Sequence, residues 1–453
     1  MDIYTINLTL LLTLCGALFF RTKTLSPSSL TPANLKSNPL LPFYAVYTLV
    51  MASDWLQGPF LYSLYRDEHA VSPSLIPSLF TTGFLSGAAS GSVIGSWADK
   101  NGRKNACLLF CAIYAASCIL TTLPGGSIPL LFLGRVLGGI GTSLLFTVFE
   151  SWMVADVKSK SRPESELSKT FGVMSTLNSL VAIASGVASE WLVTATGTKK
   201  SPFWASAALL LLAAGIISST WKENYATPTP STPSKTGGSK KTTGSSSKSP
   251  LSALISPKIL ALALTTTLFE GSMYLFVFFW APALLSLPSR TQPQSSSSSS
   301  SLPFGIIFSS FMASTLLSSL SFASLTARIS HSALLTLLLA SSSILFLLSA
   351  SPSTQQSAFW VFCLFEGAVG LYFPAMGVLK GKMIDDAVRA RIYGFLRIPL
   401  NVFVVGALVL TRDAGEEGFG KVFTACSGLL AVAAGVVGVV MRREGEEKQG
   451  KNE

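Results

Sequence analysis

Charged side chains are scarce in this sequence: aspartate, glutamate, lysine and arginine make up 12% of its 453 residues. Apolar residues account for 49%, and the mean hydropathy is +0.52. A water-soluble domain carries about twice as much charge. Apolar runs of about twenty residues recur, each long enough to cross a hydrocarbon core about 30 Å thick. The composition therefore argues against a soluble enzyme and predicts an all-α protein that crosses a lipid bilayer many times.

Residues that bind metals or perform catalysis are also few. Two histidines lie far apart, and no cluster of His, Cys and carboxylate residues has the spacing of metal ligands, so we predict no metal site. There is neither a P-loop nor a nucleophile with a neighbouring base, so we predict no ATP-driven pump, no enzyme activity and no cofactor. Six cysteines lie in apolar runs, where we interpret them as packing residues: Cys15, Cys107, Cys111, Cys118, Cys363 and Cys426.

Basic residues exceed acidic ones, and the formal net charge is +11. Such a balance could indicate a nucleic-acid partner, but the placement of the charges argues against one. With the first core span starting in the cytoplasm, 25 of the 33 Lys and Arg residues fall in cytoplasmic segments and two, Arg135 and Arg397, inside spans. The positive-inside rule predicts this asymmetry, so the charge orients the protein in its membrane. The other six are expected outside: Arg66, Lys199, Lys200, Arg290, Arg412 and Lys421.

The apolar runs predict one N-terminal helix and two groups of six spans. Residues 4–20 favour a retained helix with its N-terminus outside over a cleaved signal peptide. A Thr/Pro/Ser/Gly/Lys-rich segment, too polar to form a core, reads as a flexible linker between the groups. The predicted core spans are 41–65, 76–98, 105–123, 128–156, 168–194, 202–221, 257–283, 303–326, 332–350, 357–379, 391–411 and 419–441. The predicted units are 1–40 (helix and connector), 41–221 (first bundle), 222–256 (cytoplasmic linker), 257–441 (second bundle) and 442–453 (charged cytoplasmic tail without structure).

An acidic residue lies at the same depth in the first span of each group. Asp54 and Glu270 are each 13 residues beyond the predicted start of a span, and aromatic residues follow both. Parallel repeats around a site at mid-membrane are one construction of secondary transporters. Ionisable groups are costly inside a membrane, so these acids could carry a driving proton or cation. Each could equally be a buried acid satisfied by packing partners.

Two arginines inside spans are candidate anion ligands. Arg135 lies in a glycine-rich part of the fourth core span, where its five fixed donors suit a tetrahedral oxyanion or a buried carboxylate. Arg397 lies at the start of the eleventh core span, where it could bind an anion or make a structural contact in the gate. Asn401 follows Arg397 by one helical turn and joins the candidate pathway.

The remaining candidates are less specific. Glu366 lies nine residues into its predicted span and fits a pathway role or helix packing equally well. Glu150 lies at the cytoplasmic end of the fourth core span, where it could belong to a structural gate or to the transport pathway. Gln57 lies one turn after Asp54 and joins the candidate pathway.

A hydrophilic stretch, Gly95–Lys104, joins the second and third core spans with the pattern G-x-x-x-D-K-x-G-R-K. It resembles the signature loop of the major facilitator superfamily, and Gly134-Arg135 is similar to the second motif of that superfamily. The resemblance covers nearly the whole chain beyond residue 40. It implies the major facilitator fold, in which two six-helix bundles pack together, here with one extra N-terminal helix.

A closer resemblance is to the molybdate-anion transporter family. It implies uptake of molybdate by alternating access. Our own hypothesis is that Arg135 and then Arg397 bind the anion and that protons are carried on Asp54, Glu270 or Glu366. We expect the protein in the cell membrane. The alternatives are a carrier of sulfate or of an organic anion, and a membrane sensor or scaffold that transports nothing. The motifs are Asp54-Trp55-Leu56-Gln57, Gly102-Arg103-Lys104-Asn105, Phe149-Glu150-Ser151-Trp152, Trp221-x-Glu223-Asn224-Tyr225, Phe304-Gly305-Ile306-Ile307-Phe308-Ser309-Ser310-Phe311-Met312-Ala313 and Gly370-Leu371-Tyr372-Phe373-Pro374.

The signature loop is expected to act as a cytoplasmic gate. We expect Asp99 to accept hydrogen bonds from the start of the eleventh core span, and Arg103 to reach Glu150. These contacts would hold the cytoplasmic side shut while the other side is open. The candidate gate residues are Gly95, Asp99, Gly102, Arg103, Lys104 and Glu150.

Overall fold

The computed structural model shows helices as the only regular secondary structure in the residues it describes, as the sequence predicts. Ten of the described helices are long and apolar enough to cross a membrane. The chain is therefore an all-α multi-pass membrane protein. The described residues are 2–22, 40–123, 127–160, 164–225, 256–288, 302–384, 389–411 and 418–449.

The N-terminal half contains one outlying helix and six core helices: α1 (Ile3–Thr22), α2 (Leu41–Gln57), α3 (Ile76–Asn101), α4 (Arg103–Thr122), α5 (Ile128–Ser159), α6 (Glu164–Thr196) and α7 (Ser201–Thr220). Proline in the first turn opens α2, α3, α5 and α7, where its fixed φ suits the helix and no N–H is needed. Beyond α2 the chain tightens into a 3₁₀ turn, Gly58–Phe60, and then widens into a π-helical segment, Leu64–Glu68.

The C-terminal half contains seven described helices: α8 (Pro257–Thr265), α9 (Gly271–Leu285), α10 (Phe304–Thr326), α11 (His331–Ala350), α12 (Gln355–Met383), α13 (Arg389–Leu410) and α14 (Phe419–Gln449). A π-helical segment, Thr266–Glu270, joins α8 to α9, so these two form one interrupted span. Such segments occur frequently at functional sites. The last helix continues into the region from residue 442, for which the sequence predicts no structure.

The helices of each half pack mainly on one another, and two helix pairs make the largest contacts between the core helices of the two halves. In the N-terminal half α5 packs on α3 and α4, and in the C-terminal half α10 packs on α12 and α11 on α14. The halves meet where α6 crosses α10 and where α3 contacts α13. At the first crossing, a Cβ on Gly305 would collide with the backbone of Gly186, so the helices approach closely only without side chains there. We call the end of the bundle that carries Trp221–Tyr225 the linker end and the opposite end the distal end.

The N-terminal helix α1 packs outside the two bundles, against the C-terminal half. Tyr4 makes an edge-to-face contact with Phe359 at 4.9 Å, and the amide of Asn7 donates to the Cys363 sulfur at 3.7 Å. Further along, the thiol of Cys15 donates to a backbone carbonyl of α10 at 3.4 Å. The helix therefore runs parallel to α12, and its first residues lie at the distal end.

Candidate substrate site

In the N-terminal half, a buried tyrosine holds the first of the predicted acids. Tyr114 of α4 donates a hydrogen bond from its hydroxyl to Asp54 Oδ1. The tyrosine ring fills a slot on α5 that requires glycine, because a Cβ on Gly141 would collide with it. Asp54 is therefore held in place by tertiary packing between three helices.

The predicted anion ligand Arg135 lies next to this pair. Its guanidinium is 5.3 Å from the centre of the Phe80 ring, and Nε donates to the carbonyl oxygen of Leu79 at 3.4 Å. It occupies a notch at Gly83, where a Cβ would lie 2.5 Å from Nη2. Arg135 interacts electrostatically with Asp54, but among the described carboxylates none forms an ion pair with it. The guanidinium thus keeps donors that an oxyanion could use.

In the C-terminal half, two residues of α12 contact the second predicted acid. The Tyr372 hydroxyl donates to Glu270 Oε1 at 3.1 Å, and Lys380 Nζ lies 3.5 Å from the same oxygen. The fully buried Tyr372 ring stacks on Phe269 at 3.9 Å. The Lys380 and Glu270 side chains are 17% and 16% exposed, so the ion pair is mostly buried without being sealed in the core.

The two halves use a similar set of residues, although the tyrosine lies on the third span in the N-terminal half and on the fourth in the C-terminal half. Each has an acid on its first span, a tyrosine hydroxyl bound to that acid, and a cation on its fourth span. Arg135 on α5 and Lys380 on α12 are the two cations. The sequence predicts the paired acids, yet it ends the tenth core span at residue 379 and assigns Lys380 to the cytoplasm. In the structure α12 runs to Met383, and the long side chain of Lys380 reaches back to Glu270.

Two predicted pathway residues are satisfied locally. Glu366 is buried at 5% exposure, and its carboxylate accepts a hydrogen bond from Thr315 at 3.0 Å across the contact between α12 and α10. The amide of Gln57 donates to the Ser53 carbonyl of its own helix at 2.8 Å. Neither residue joins the two acid-tyrosine pairs.

Two more predicted residues lie on α13, near the C-terminal acid. Arg397 is exposed and interacts electrostatically with Tyr274, which lies one turn after Glu270. Asn401 is half-buried one turn further along α13. The structure therefore brings Arg397 to the neighbourhood of Glu270.

Aromatic side chains close the distal end between the halves. Phe80 of α3 contacts Phe278 of α9 with ring centres 4.9 Å apart, and Phe84 contacts Tyr274 at 5.2 Å. Phe80 also forms the platform under the Arg135 guanidinium. The closure therefore shares a residue with the candidate anion site.

Glu190, an acid that the sequence predictions do not include, also joins the two halves at the distal end. Glu190 of α6 accepts a hydrogen bond from the backbone N–H of Gly305, in the first turn of α10, at 2.7 Å. Unpaired N–H groups and the helix dipole make that turn favourable for a carboxylate. The signal was available, since Glu190 is an acid within a predicted span.

The signature loop makes different contacts from those predicted. Arg103 forms an ion pair with Asp99, Nη2 to Oδ1 at 2.7 Å, whereas Glu150 is exposed at the linker end. Gly95 packs loosely, since a Cβ there would lie 3.8 Å from Thr147. The predicted partners of Asp99 lie at the start of α13, near Arg389–Arg397, where most side chains are outside the described residues. In this structure Arg103 pairs within its own loop, and its contact with Glu150 stays a prediction for the state in which the cytoplasmic side is shut.

The loop instead binds the segment that precedes the linker. Glu223 accepts hydrogen bonds from the backbone N–H groups of Lys104 at 2.8 Å and Asn105 at 3.1 Å, and so caps the start of α4. Gly102 makes room for this carboxylate: its φ is +100°, and a Cβ would lie 2.5 Å from Glu223. Nearby, Trp221 stacks on Trp152 at 3.8 Å. The signature loop and the Trp221–Tyr225 segment thus form a single contact.

Similarity to solved structures identifies the class of fold. The nucleoside transporter NupG matches with a TM-score of 0.61 at 14% identity, over 88% of this chain and 99% of that one. The POT family transporter PepTSo matches with a TM-score of 0.66 at 12% identity, over 89% and 97%. A major facilitator family model described as "Sugar-transporters, 12 TM" covers residues 3–364. The chain therefore has the two-bundle fold of a major facilitator transporter.

Curated relatives specify the family within that class. A molybdate-anion transporter of Xenopus tropicalis is 31% identical over 419 residues, which cover 88% of this chain and 85% of the relative. One from Danio rerio is 31% identical over 459 residues, covering 93% and 91%. The chain belongs to the molybdate-anion transporter family of the major facilitator superfamily.

Proposed function

We propose that this chain is a secondary active transporter that takes up molybdate across the plasma membrane. Its curated relatives are named for that anion, and the observation that carries the proposal here is Arg135. A permanently charged guanidinium beside an aromatic face, with donors left over, suits a tetrahedral dianion. Arg397 is proposed as the second anion contact, and Gln57 and Asn401 as polar residues of the pathway.

Alternating access is the proposed mechanism. Two separately packed bundles that meet along a few helices can rock about a central site. Contacts such as Phe80 with Phe278 hold the distal end, which supports a state that faces the linker end. We propose that the linker end is cytoplasmic, and that the signature loop and Glu150 shape that side during the cycle.

The energy for uptake is proposed to come from protons. Moving a dianion inward against an inside-negative potential costs about 2.3 kcal/mol per charge per 100 mV. Protons that travel on Asp54 or Glu270 would offset this cost, since each acid has a hydrogen-bonding tyrosine that could retain it in either protonation state. Glu366 is the third candidate. On this proposal the chain moves its substrate without chemical change and is not an enzyme.

The test is uptake of labelled molybdate by cells that lack their own carrier. We expect the wild-type chain to support uptake and Arg135→Ala to reduce it about tenfold or more, since removing a charged hydrogen-bond donor costs about 1.5–3 kcal/mol. Arg328→Ala, an exposed change at the end of α10, is the matched control and should keep full activity.

Two results would contradict the proposal. Uptake that does not depend on the wild-type chain would exclude molybdate transport, and full activity of Arg135→Ala would exclude the assigned ligand. Competition by excess sulfate, run in the same assay, distinguishes a molybdate carrier from a general carrier of tetrahedral dianions.

A further inference from the structure

The side chain of Trp55 on α2 contacts both halves of the molecule. Its indole N–H donates a hydrogen bond to Asn178 Oδ1 on α6 at 2.8 Å. Its ring centre lies 5.8 Å from that of Phe308, on α10 in the C-terminal half. Trp55 also follows the predicted acid Asp54 directly in the chain. The contact with Asn178 therefore lies at the junction of the halves, beside a residue that the transport proposal already uses.

The hydrogen bond from Trp55 determines which way the Asn178 amide points. An indole N–H can only donate, so the amide atom that it contacts must be the oxygen. The amide nitrogen then points away from Trp55 and carries two N–H donors. Within the described part of the chain, neither of these N–H groups donates to a protein acceptor. Asn178 thus presents two donors in a fixed direction.

Asn178 lies on the linker side of the close crossing between α6 and α10. It precedes Gly186, which stands at that crossing, by eight residues, or about 12 Å along the helix. The side chain of Asn178 is half-buried, so the packing of the helices does not seal it in. Because the distal end is closed, Asn178 lies on the side from which the proposed transport path stays accessible.

An amide nitrogen suits the proposed substrate chemically. A fully deprotonated tetrahedral oxyanion offers only acceptors, and fixed N–H donors can bind it without adding a second positive charge. A carrier must also release what it binds, so a neutral donor is a suitable complement to the permanently charged Arg135.

We infer that Asn178 is a substrate-binding residue, and that Trp55 is the positioning residue that aims its amide N–H groups at the transported oxyanion. The inference rests on the proposed function and adds a neutral donor from α6 to the same transport path. It also gives a role to the tryptophan of the Asp54-Trp55-Leu56-Gln57 motif.

The experiment measures KM and maximal rate for labelled molybdate uptake together with the amount of protein in the membrane. We expect Asn178→Ala to raise KM about tenfold or more, the range for a lost hydrogen bond to a charged group. Thr176→Val is the matched control, because that residue points to another side of α6 and its hydroxyl donates to the Gly172 carbonyl of the same helix. It should leave KM unchanged.

The variant Asn178→Asp separates binding from structure. A carboxylate still accepts the hydrogen bond from Trp55, but it lacks the N–H donors and repels a dianion. If the hydrogen bond only stabilises the fold, Asn178→Asp keeps the wild-type KM. If Asn178 binds the anion, the variant raises KM even where it reaches the membrane in normal amount.

The positioning role of Trp55 is tested by a double-mutant cycle. Trp55→Phe removes the indole donor and should raise KM in the wild-type background, because the amide is then free to turn. It should add nothing in the Asn178→Ala background, where no amide remains to be oriented. An equal rise in both backgrounds would overturn the positioning role.

The binding role is overturned if Asn178→Ala and Asn178→Asp both keep the wild-type KM. Failure of the proposed function looks different, because the wild-type chain itself would then show no molybdate uptake.

Discussion

The position of the Arg135 guanidinium depends on the missing side chain at Gly83. The guanidinium fills the notch between Gly83 and the Phe80 ring, and Nη2 lies 2.5 Å from where a Cβ would stand. A contact that short must be relieved, and the flexible arginine is the group that can move. The orientation of the Arg135 guanidinium thus depends on Gly83, a residue without a side chain.

The substitution Gly83→Ala tests this dependence. It should displace the guanidinium by several tenths of an ångström and raise KM for molybdate about tenfold, because bidentate recognition of an oxyanion is sensitive to geometry. Gly91→Ala on the same helix is the control, since a Cβ there would lie 3.6 Å from Ser143, an ordinary contact. Equal KM values for the two variants in the uptake assay would show that Arg135 is not positioned by the notch.

The sequence reveals some of these residues and hides others for a physical reason. Asp54, Glu270 and Arg135 are detectable because a charge inside an apolar run is costly and therefore rare. Their partners are not, because Tyr114 is one of many aromatics and only the folded chain brings it to Asp54. Lys380 is a special case, because it lies eight residues after Tyr372 on the same side of its helix. It also stands at the end of an apolar run, where a lysine usually indicates the membrane boundary.

At the level of elements, the start of α4 depends on a residue more than a hundred positions later. Glu223 accepts from the N–H groups of Lys104 and Asn105, two of the groups that a helix start leaves unpaired. The backbone N–H of Arg103 donates to the carbonyl of Asn224 at 3.1 Å. The signature loop is therefore tied to the segment that leads into the linker.

Removing this cap should destabilise the N-terminal half. We expect Glu223→Ala to lower the free energy of unfolding by about 1–2 kcal/mol, the range for a lost N-terminal cap, and Glu223→Gln to have a smaller effect. Lys222→Ala is the control, because that side chain is exposed. The measurement is the thermal unfolding midpoint of the detergent-solubilised protein, and a midpoint for Glu223→Ala that equals the control would refute the capping role.

The presence of a helix is easier to predict from the sequence than a local change in its winding. Apolar runs predict the spans well, since burial in lipid demands internally hydrogen-bonded helices. The π-helical segment Thr266–Glu270 leaves no mark in the apolar pattern, because the same residues could continue a regular helix. The contacts of the signature loop were equally hidden, because both Asp99 and Glu223 are acids that could satisfy a neighbouring helix start.

For the molecule as a whole, the distal contacts decide which state is populated. Glu190 binds Gly305 across the two halves, and aromatic pairs such as Phe80 with Phe278 lie nearby. The glycine crossing between α6 and α10 provides the close approach that this hydrogen bond requires. An alternating-access cycle must break these contacts whenever the distal end opens.

Removing the Glu190 carboxylate should therefore shift the population toward distal opening. A charged hydrogen bond is worth about 1.5–3 kcal/mol, enough to change a two-state ratio about tenfold or more. Glu190→Ala should then lengthen the distance between spin labels on Ser74→Cys and Ser286→Cys, two exposed distal positions on opposite halves. All six native cysteines are buried, so labelling should be confined to the introduced sites.

The matched control is another distal acid whose contact stays within one half. Glu68 accepts a hydrogen bond from Thr198 at 2.9 Å, and both residues belong to the N-terminal half. Glu68→Ala should leave the distance distribution unchanged, because no contact between the halves is lost. If both variants lengthen the distance alike, the effect is a general loosening of the distal loops; if neither does, Glu190 does not hold the halves together.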